Sequence, residues 1–111
     1  TNQYHEVREI QTQFKRSIKN IFNEIDVIIS PPTSSPAPRD LNSTGDKRFQ
    51  APWTLSGLPA ITFPIGTSKL GLPIGTQLIG ENLSETKLLQ SSLWCYETIG
   101  KNLNPDFSNF L

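Results

Sequence analysis

The chain has 111 residues, of which 35% are hydrophobic and 18% are charged. That length suits one small domain with a modest core, although the apolar share is below that of a typical self-sufficient domain. Ten basic and ten acidic residues cancel to a formal net charge of zero, so charge favours neither nucleic acid nor an anionic membrane as a partner.

The cysteine and histidine content limits both the compartment and the chemistry. Cys95 is the only cysteine, which excludes an internal disulfide and predicts a reducing, cytoplasmic location. His5 is the only histidine, and one His with one Cys cannot build a zinc site. Residues 1–23 lack the apolar stretch of a signal peptide, and no run approaches the roughly 20 apolar residues of a membrane span. We therefore predict no metal, no cofactor and no membrane association.

The first predicted elements are a helix and a short strand. Tyr4–Glu24 is predicted to be an amphipathic helix, because its apolar side chains recur at three- and four-residue spacing. Val27–Ile29 is apolar and β-branched, which is typical of a strand buried on both faces. Pro31 and Pro32 end that strand because they lack backbone donors. The apolar stripe of the helix consists of Val7, Ile10, Phe14, Ile18 and Ile21.

A long loop and a predicted hairpin follow. The loop, Thr33–Arg48, is longer than a compact domain usually contains without a function or a covering partner. Phe49–Leu55 is predicted to form a helical turn that ends before Gly57. Ala60–Phe63 and Ile74–Ile79 are predicted to be strands that pair antiparallel.

A second long helix is predicted from Ser84, its N-cap, to a stop at Gly100. The predicted inward stripe of this helix comprises Leu88, Leu89, Ser92, Leu93, Tyr96 and Ile99. Asn102–Leu111 is predicted to be either a docking tail or a frayed end. The whole pattern predicts an α/β fold with about three strands and two main helices. Because so small a sheet leaves edges and faces without partners, we expect it to be a piece of a larger sheet.

Several segments resemble the amidase-signature hydrolases, which are serine-dependent enzymes that cleave amide C–N bonds. Gly57–Gly66 and Leu72–Gly80 together resemble the family's C-terminal signature. Phe22–Thr33, continued by 34–38, is similar to the family's segment in which a helix leads into an Asp, three apolar residues and Thr-Pro-Thr. Gly45–Thr54 is similar to the Gly-Asp…Arg-Phe-x-x-Pro-Trp segment of general bacterial amidases. Residues 1–111 are therefore identified as a C-terminal fragment of an amidase-signature domain, with a mixed sheet covered by helices.

The resemblance also implies a catalytic apparatus that this chain does not match. Family members use a Ser nucleophile and a second Ser in a glycine-rich loop, with a neutral Lys that relays the proton. The serine pairs here, 34–35 and 91–92, have no flanking glycine, and no Lys lies at the end of an apolar strand. We assign no catalytic residue, and we predict that the isolated chain is inactive.

Four residues are the best candidates for substrate binding: Arg48, Phe49, Pro52 and Trp53. An aromatic pair ahead of a strand can form the wall of a small-molecule pocket. The alternative is that both rings fill the core beneath the loop. The resemblance implies an acidic residue near this position in members that handle glutamine on transfer RNA. Lys47 and Arg48 stand here instead, which favours the general amidase branch.

The function implied by the resemblance is that of one part of an amidase. The chain would supply sheet core and one pocket wall, while the catalytic Ser-Ser-Lys residues lie outside it. The expected partners are the N-terminal part of the amidase or a second copy of the chain, and a small-molecule amide in the complete enzyme. The alternative from another class is a separately encoded, non-catalytic structural or interaction domain.

Overall fold

The computed structural model of the chain describes residues 1–99. In that part it contains three helices and three strands, which confirms the predicted α/β class. The predicted helix stop at Gly100 and the tail at Asn102–Leu111 lie outside the described residues. The elements in chain order are α1 (Asn2–Ile21), β1 (Ile28–Ser30), α2 (Ala51–Ser56), β2 (Ala60–Thr67), β3 (Pro73–Ile79) and α3 (Glu85–Ile99).

The strands form one antiparallel sheet in the order β1-β3-β2. In its register Ile29 lies opposite Leu78, and Leu78 lies opposite Ile61. The predicted antiparallel pairing of the second and third strands is therefore confirmed. Strand β2 continues beyond its predicted end because an irregularity between Pro64 and Gly66 shifts the register there, as a β-bulge does.

The two faces of the sheet are covered by different helices. On one face, the buried residues Ile18 and Phe22 of the α1 region pack with Ile79. Side chains alternate across a strand, so Leu78 points to the opposite face, where it is only 1% exposed. Helix α3 contacts β2 and β3, and its Tyr96 ring meets Phe63 edge-on at a centroid distance of 6.0 Å.

The prediction that the first strand is buried on both faces is wrong for this chain. Strand β1 begins at Ile28 rather than Val27, and the Ile29 side chain is 65% exposed. The reason is that α3 packs mainly on β2 and β3 and leaves this edge of its face uncovered.

The apolar stripes of both long helices are buried over only part of their predicted length. Helix α1 ends at Ile21 rather than Glu24, and its Val7 and Ile10 remain mostly exposed. In α3, Leu88 is buried while Leu89 is 57% exposed. A three-stranded sheet is too small to cover both stripes, so a broad apolar surface stays open on each side.

Candidate functional site

An open groove between α1 and α2 is the most prominent concave surface in the described part of the chain. Its volume is about 1050 Å³. The walls are mostly apolar, with a few polar side chains at the rim, which is the usual composition of a small-molecule site. The lining residues include Val7, Ile10, Gln11, Arg48, Pro52 and Leu55.

The short helix α2 forms one wall of this groove. Pro52 lies in its first turn, where a fixed φ and a missing N–H cost a helix nothing. At the other end, Gly57 adopts a left-handed conformation with φ of 72°, which glycine reaches without strain. The Ser56 hydroxyl donates to the Pro52 carbonyl at 2.8 Å. These local preferences confirm the predicted helical turn before Gly57 and explain its length.

Three glutamine side chains attach the loop and α2 to the rest of the fold. Gln77 of β3 is only 4% exposed, and its Nε2 donates to the Phe49 carbonyl at 2.7 Å and to Ser30 Oγ at 3.0 Å. Gln50 Nε2 donates to the Pro32 carbonyl at 3.1 Å. Gln11 Nε2 donates to the Leu55 carbonyl at 3.0 Å. The groove wall is therefore held from the sheet, from the β1 exit and from α1.

Sequence reasoning missed the role of Gln77. The signal was an amide side chain inside an otherwise apolar strand, since buried polar groups require hydrogen-bond partners. Its partners, Phe49 and Ser30, lie far away along the chain, so the sequence alone could not name them.

Arg48 stands at the rim of the groove and is largely exposed. The Asp46 carboxylate accepts from the Arg48 backbone N–H at 2.9 Å and lies 3.3 Å from its Nε. The Arg48 side chain retains 74% exposure, so this ion pair contributes only about 0–1 kcal/mol. Asp46 therefore orients the guanidinium without burying it, and Arg48 stays accessible to a ligand in the groove.

The four predicted binding residues do not share one surface. Arg48 and Pro52 line the groove, whereas Trp53 packs against the core cluster of Ile18, Phe22 and Ile79. Trp53 Nε1 is buried and has no hydrogen-bond partner among the described residues. Phe49 is half-buried, with its carbonyl bound to Gln77. Contact of these four with substrate remains a prediction, and the position of Trp53 favours a packing role for that ring.

The serine pairs do not form a nucleophilic site in the described part of the chain. Ser34 and Ser35 lie in the exposed loop after β1. Ser92 is buried in α3, and its hydroxyl donates to the Leu88 carbonyl at 2.7 Å. All lysines in residues 1–99 are exposed, and no cluster of metal-ligating side chains occurs within that range.

One ion pair connects α3 to the segment before β1. Lys87 Nζ lies 2.7 Å from Asp26 Oδ1, and this hydrogen bond, with the attraction of the carboxylate, raises the pKa of Lys87. Both side chains are exposed, so the pair fixes an orientation more than it adds stability.

Comparison with known proteins identifies the family. The Amidase family model matches residues 1–89. The chain belongs to the amidase family. A glutamyl-tRNA(Gln) amidotransferase protein of Synechococcus sp. is 37% identical over 94 residues, which are 78% of this chain and 19% of that protein. Fatty acid amide hydrolase of Medicago truncatula is 39% identical over 93 residues, which are 73% of this chain and 15% of that protein.

A solved structure supports the same placement at the level of fold. The chain of a fatty acid amide hydrolase superposes with a TM-score of 0.81 at 18% identity, over 94% of this chain and 24% of that chain. The chain thus spans about a fifth or less of the length of the two curated relatives. The family predicted from the sequence is confirmed. Among the described residues, no helix is both long and apolar enough to cross a membrane.

Proposed function

We propose that this chain is part of an amidase that hydrolyses a carbon–nitrogen bond, and that it contributes sheet core and one wall of the substrate pocket. The observation that carries the proposal is the family match over residues 1–89 in a chain about a fifth as long as a curated relative. In this proposal the remaining part of the domain provides the Ser-Ser-Lys chemistry. The general amidase branch remains our preference because of Lys47 and Arg48.

The groove between α1 and α2 is the proposed pocket wall. Val7, Ile10 and Leu55 present apolar surface to it, which suits the hydrocarbon part of an amide and excludes water from it. Arg48 at the rim offers charge-assisted N–H donors to a carbonyl or carboxylate of the ligand. These contacts would hold and orient the amide, while bond cleavage takes place on residues outside this chain.

The test is a chimera in which this chain replaces the matching 93-residue segment of the Medicago truncatula fatty acid amide hydrolase. We expect the chimera to release amine from a fatty acid amide at a rate within about tenfold of the parent enzyme. The parent with that segment deleted and the isolated chain should both be inactive. A chimera that folds but lacks all activity would contradict the proposal.

A matched pair of variants tests the pocket wall separately. Arg48→Ala in the chimera should raise KM with little change in kcat, because an interaction lost equally from bound substrate and transition state affects KM alone. Lys69→Ala removes an exposed cation from the loop between β2 and β3 and should change neither constant. Equal effects of the two variants would remove Arg48 from the pocket.

A further inference from the structure

The outer backbone edge of β1 is free of the sheet in the described part of the chain. The Gly80 N–H donates to the Pro59 carbonyl at 3.0 Å, which continues the register between β3 and β2. Residues of an antiparallel strand alternate between one neighbour and the other, so Leu78 faces β2 and Ile79 faces β1. Ile28, opposite Ile79, therefore bonds inward, and the N–H and C=O of Ile29 point outward.

The side chain of Ile29 lies on an unfinished apolar face. Its cross-strand neighbour Leu78 is 1% exposed beneath α3, whereas Ile29 is 65% exposed. Cross-strand neighbours share one face of the sheet, so burial falls abruptly between adjacent strands. A β-branched residue in this position is suited to cover by a further element beside α3.

The other edge of the sheet is less suited to receive a strand. By the same alternation, Ala60, Thr62 and Pro64 of β2 point their backbone groups outward. Pro64 has no N–H to donate, and prolines and bulges commonly protect exposed edges. The exposed side chains at this edge, Ala60 and Thr62, are small or polar. The two edges therefore differ in both backbone donors and apolar surface.

We propose that the outer edge of β1 is the docking edge for a strand from the part of the amidase domain outside this chain. This proposal rests on the proposed function, because it takes the partner to be the remaining four-fifths of a relative's length, judged from the 19% that this chain covers. The incoming strand would pair with the N–H and C=O of Ile29. Its apolar side chains, or a helix above them, would cover the Ile29 side chain next to α3.

The chimera with the Medicago truncatula enzyme allows a direct test by hydrogen exchange resolved to single residues. We expect the Ile29 amide to exchange at least about tenfold more slowly than an unprotected amide, because exchange then requires opening of the new strand pair. An Ile29 amide that exchanges at the unprotected rate in a folded chimera would overturn the proposal. Protection that appears in the isolated chain and grows with its concentration would also overturn it, because the occupant would then be a second copy.

Two further measurements separate this proposal from the proposed function. Ile29→Pro removes the outward N–H without touching the pairs between β1 and β3, and Ile29→Thr keeps the N–H and the branched shape. We expect Ile29→Pro to lower the melting temperature of the chimera clearly more than Ile29→Thr does, and an equal effect of both would contradict the pairing. Amide hydrolysis is measured on the same samples: an active chimera with an unprotected Ile29 overturns only the docking edge, whereas a protected Ile29 in an inactive chimera supports the edge and contradicts the proposed function.

Discussion

Replacing Trp53 by alanine separates the packing role of this residue from a role in substrate binding. Trp53 packs against Ile18, Phe22 and Ile79, so its removal leaves a cavity beside the core. Truncating a fully buried tryptophan costs about 3–5 kcal/mol, and Trp53 is only half-buried. Its indole N–H is buried without a partner, and losing such a group returns about 1–3 kcal/mol of desolvation penalty. We expect a net loss of about 2 kcal/mol.

The assay compares melting temperature and KM for Trp53→Ala in the chimera with the Medicago truncatula enzyme. Trp53→Phe is the matched control, because it keeps a ring in the core and deletes only the unpaired N–H. The packing observed here predicts a clear drop in melting temperature for Trp53→Ala, a much smaller change for Trp53→Phe, and an unchanged KM per folded molecule. An unchanged melting temperature with a raised KM for Trp53→Ala would refute this reasoning and support the substrate contact predicted from the sequence.

The remaining predictions concern the isolated chain and the loop anchor. The isolated chain should release no ammonia from simple amides; turnover that disappears with Ser34→Ala or Ser35→Ala would contradict this. Light scattering at several concentrations should show self-association, because apolar surface and strand edges stay open at zero net charge; a monomer at every concentration would show that the fragment closes its own core. Gln77→Leu should lower the melting temperature of the chimera more than Gln50→Leu does, because it strands the Phe49 carbonyl at a cost of about 1–3 kcal/mol, and equal effects would argue against the buried anchor.

The sequence predicted those parts of the fold that local chemistry determines. The hairpin of β2 and β3 follows from two β-branched runs between glycines and prolines, and α2 follows from Pro52 and Gly57. The family could be recognised because these same segments occur in a characteristic order. In each case residues close together in the chain carry the signal.

The parts that the sequence did not predict depend on contacts between distant segments. The exposure of Ile29 depends on where α3 lies over the sheet, and hydrophobic periodicity does not contain that information. The groove forms because α1 and α2 pack side by side although a long loop separates them. Arg48 and Trp53 are near neighbours in the sequence but lie on opposite sides of the α2 region, which only the packing of that helix determines.

Hydrolysis of a fatty acid amide by the chimera tests the central claim most directly. The claim that this chain is a working part of an amidase predicts activity within about tenfold of the parent enzyme, with no activity when the segment is deleted. A chimera that melts cooperatively like the parent and yet releases no amine would contradict it.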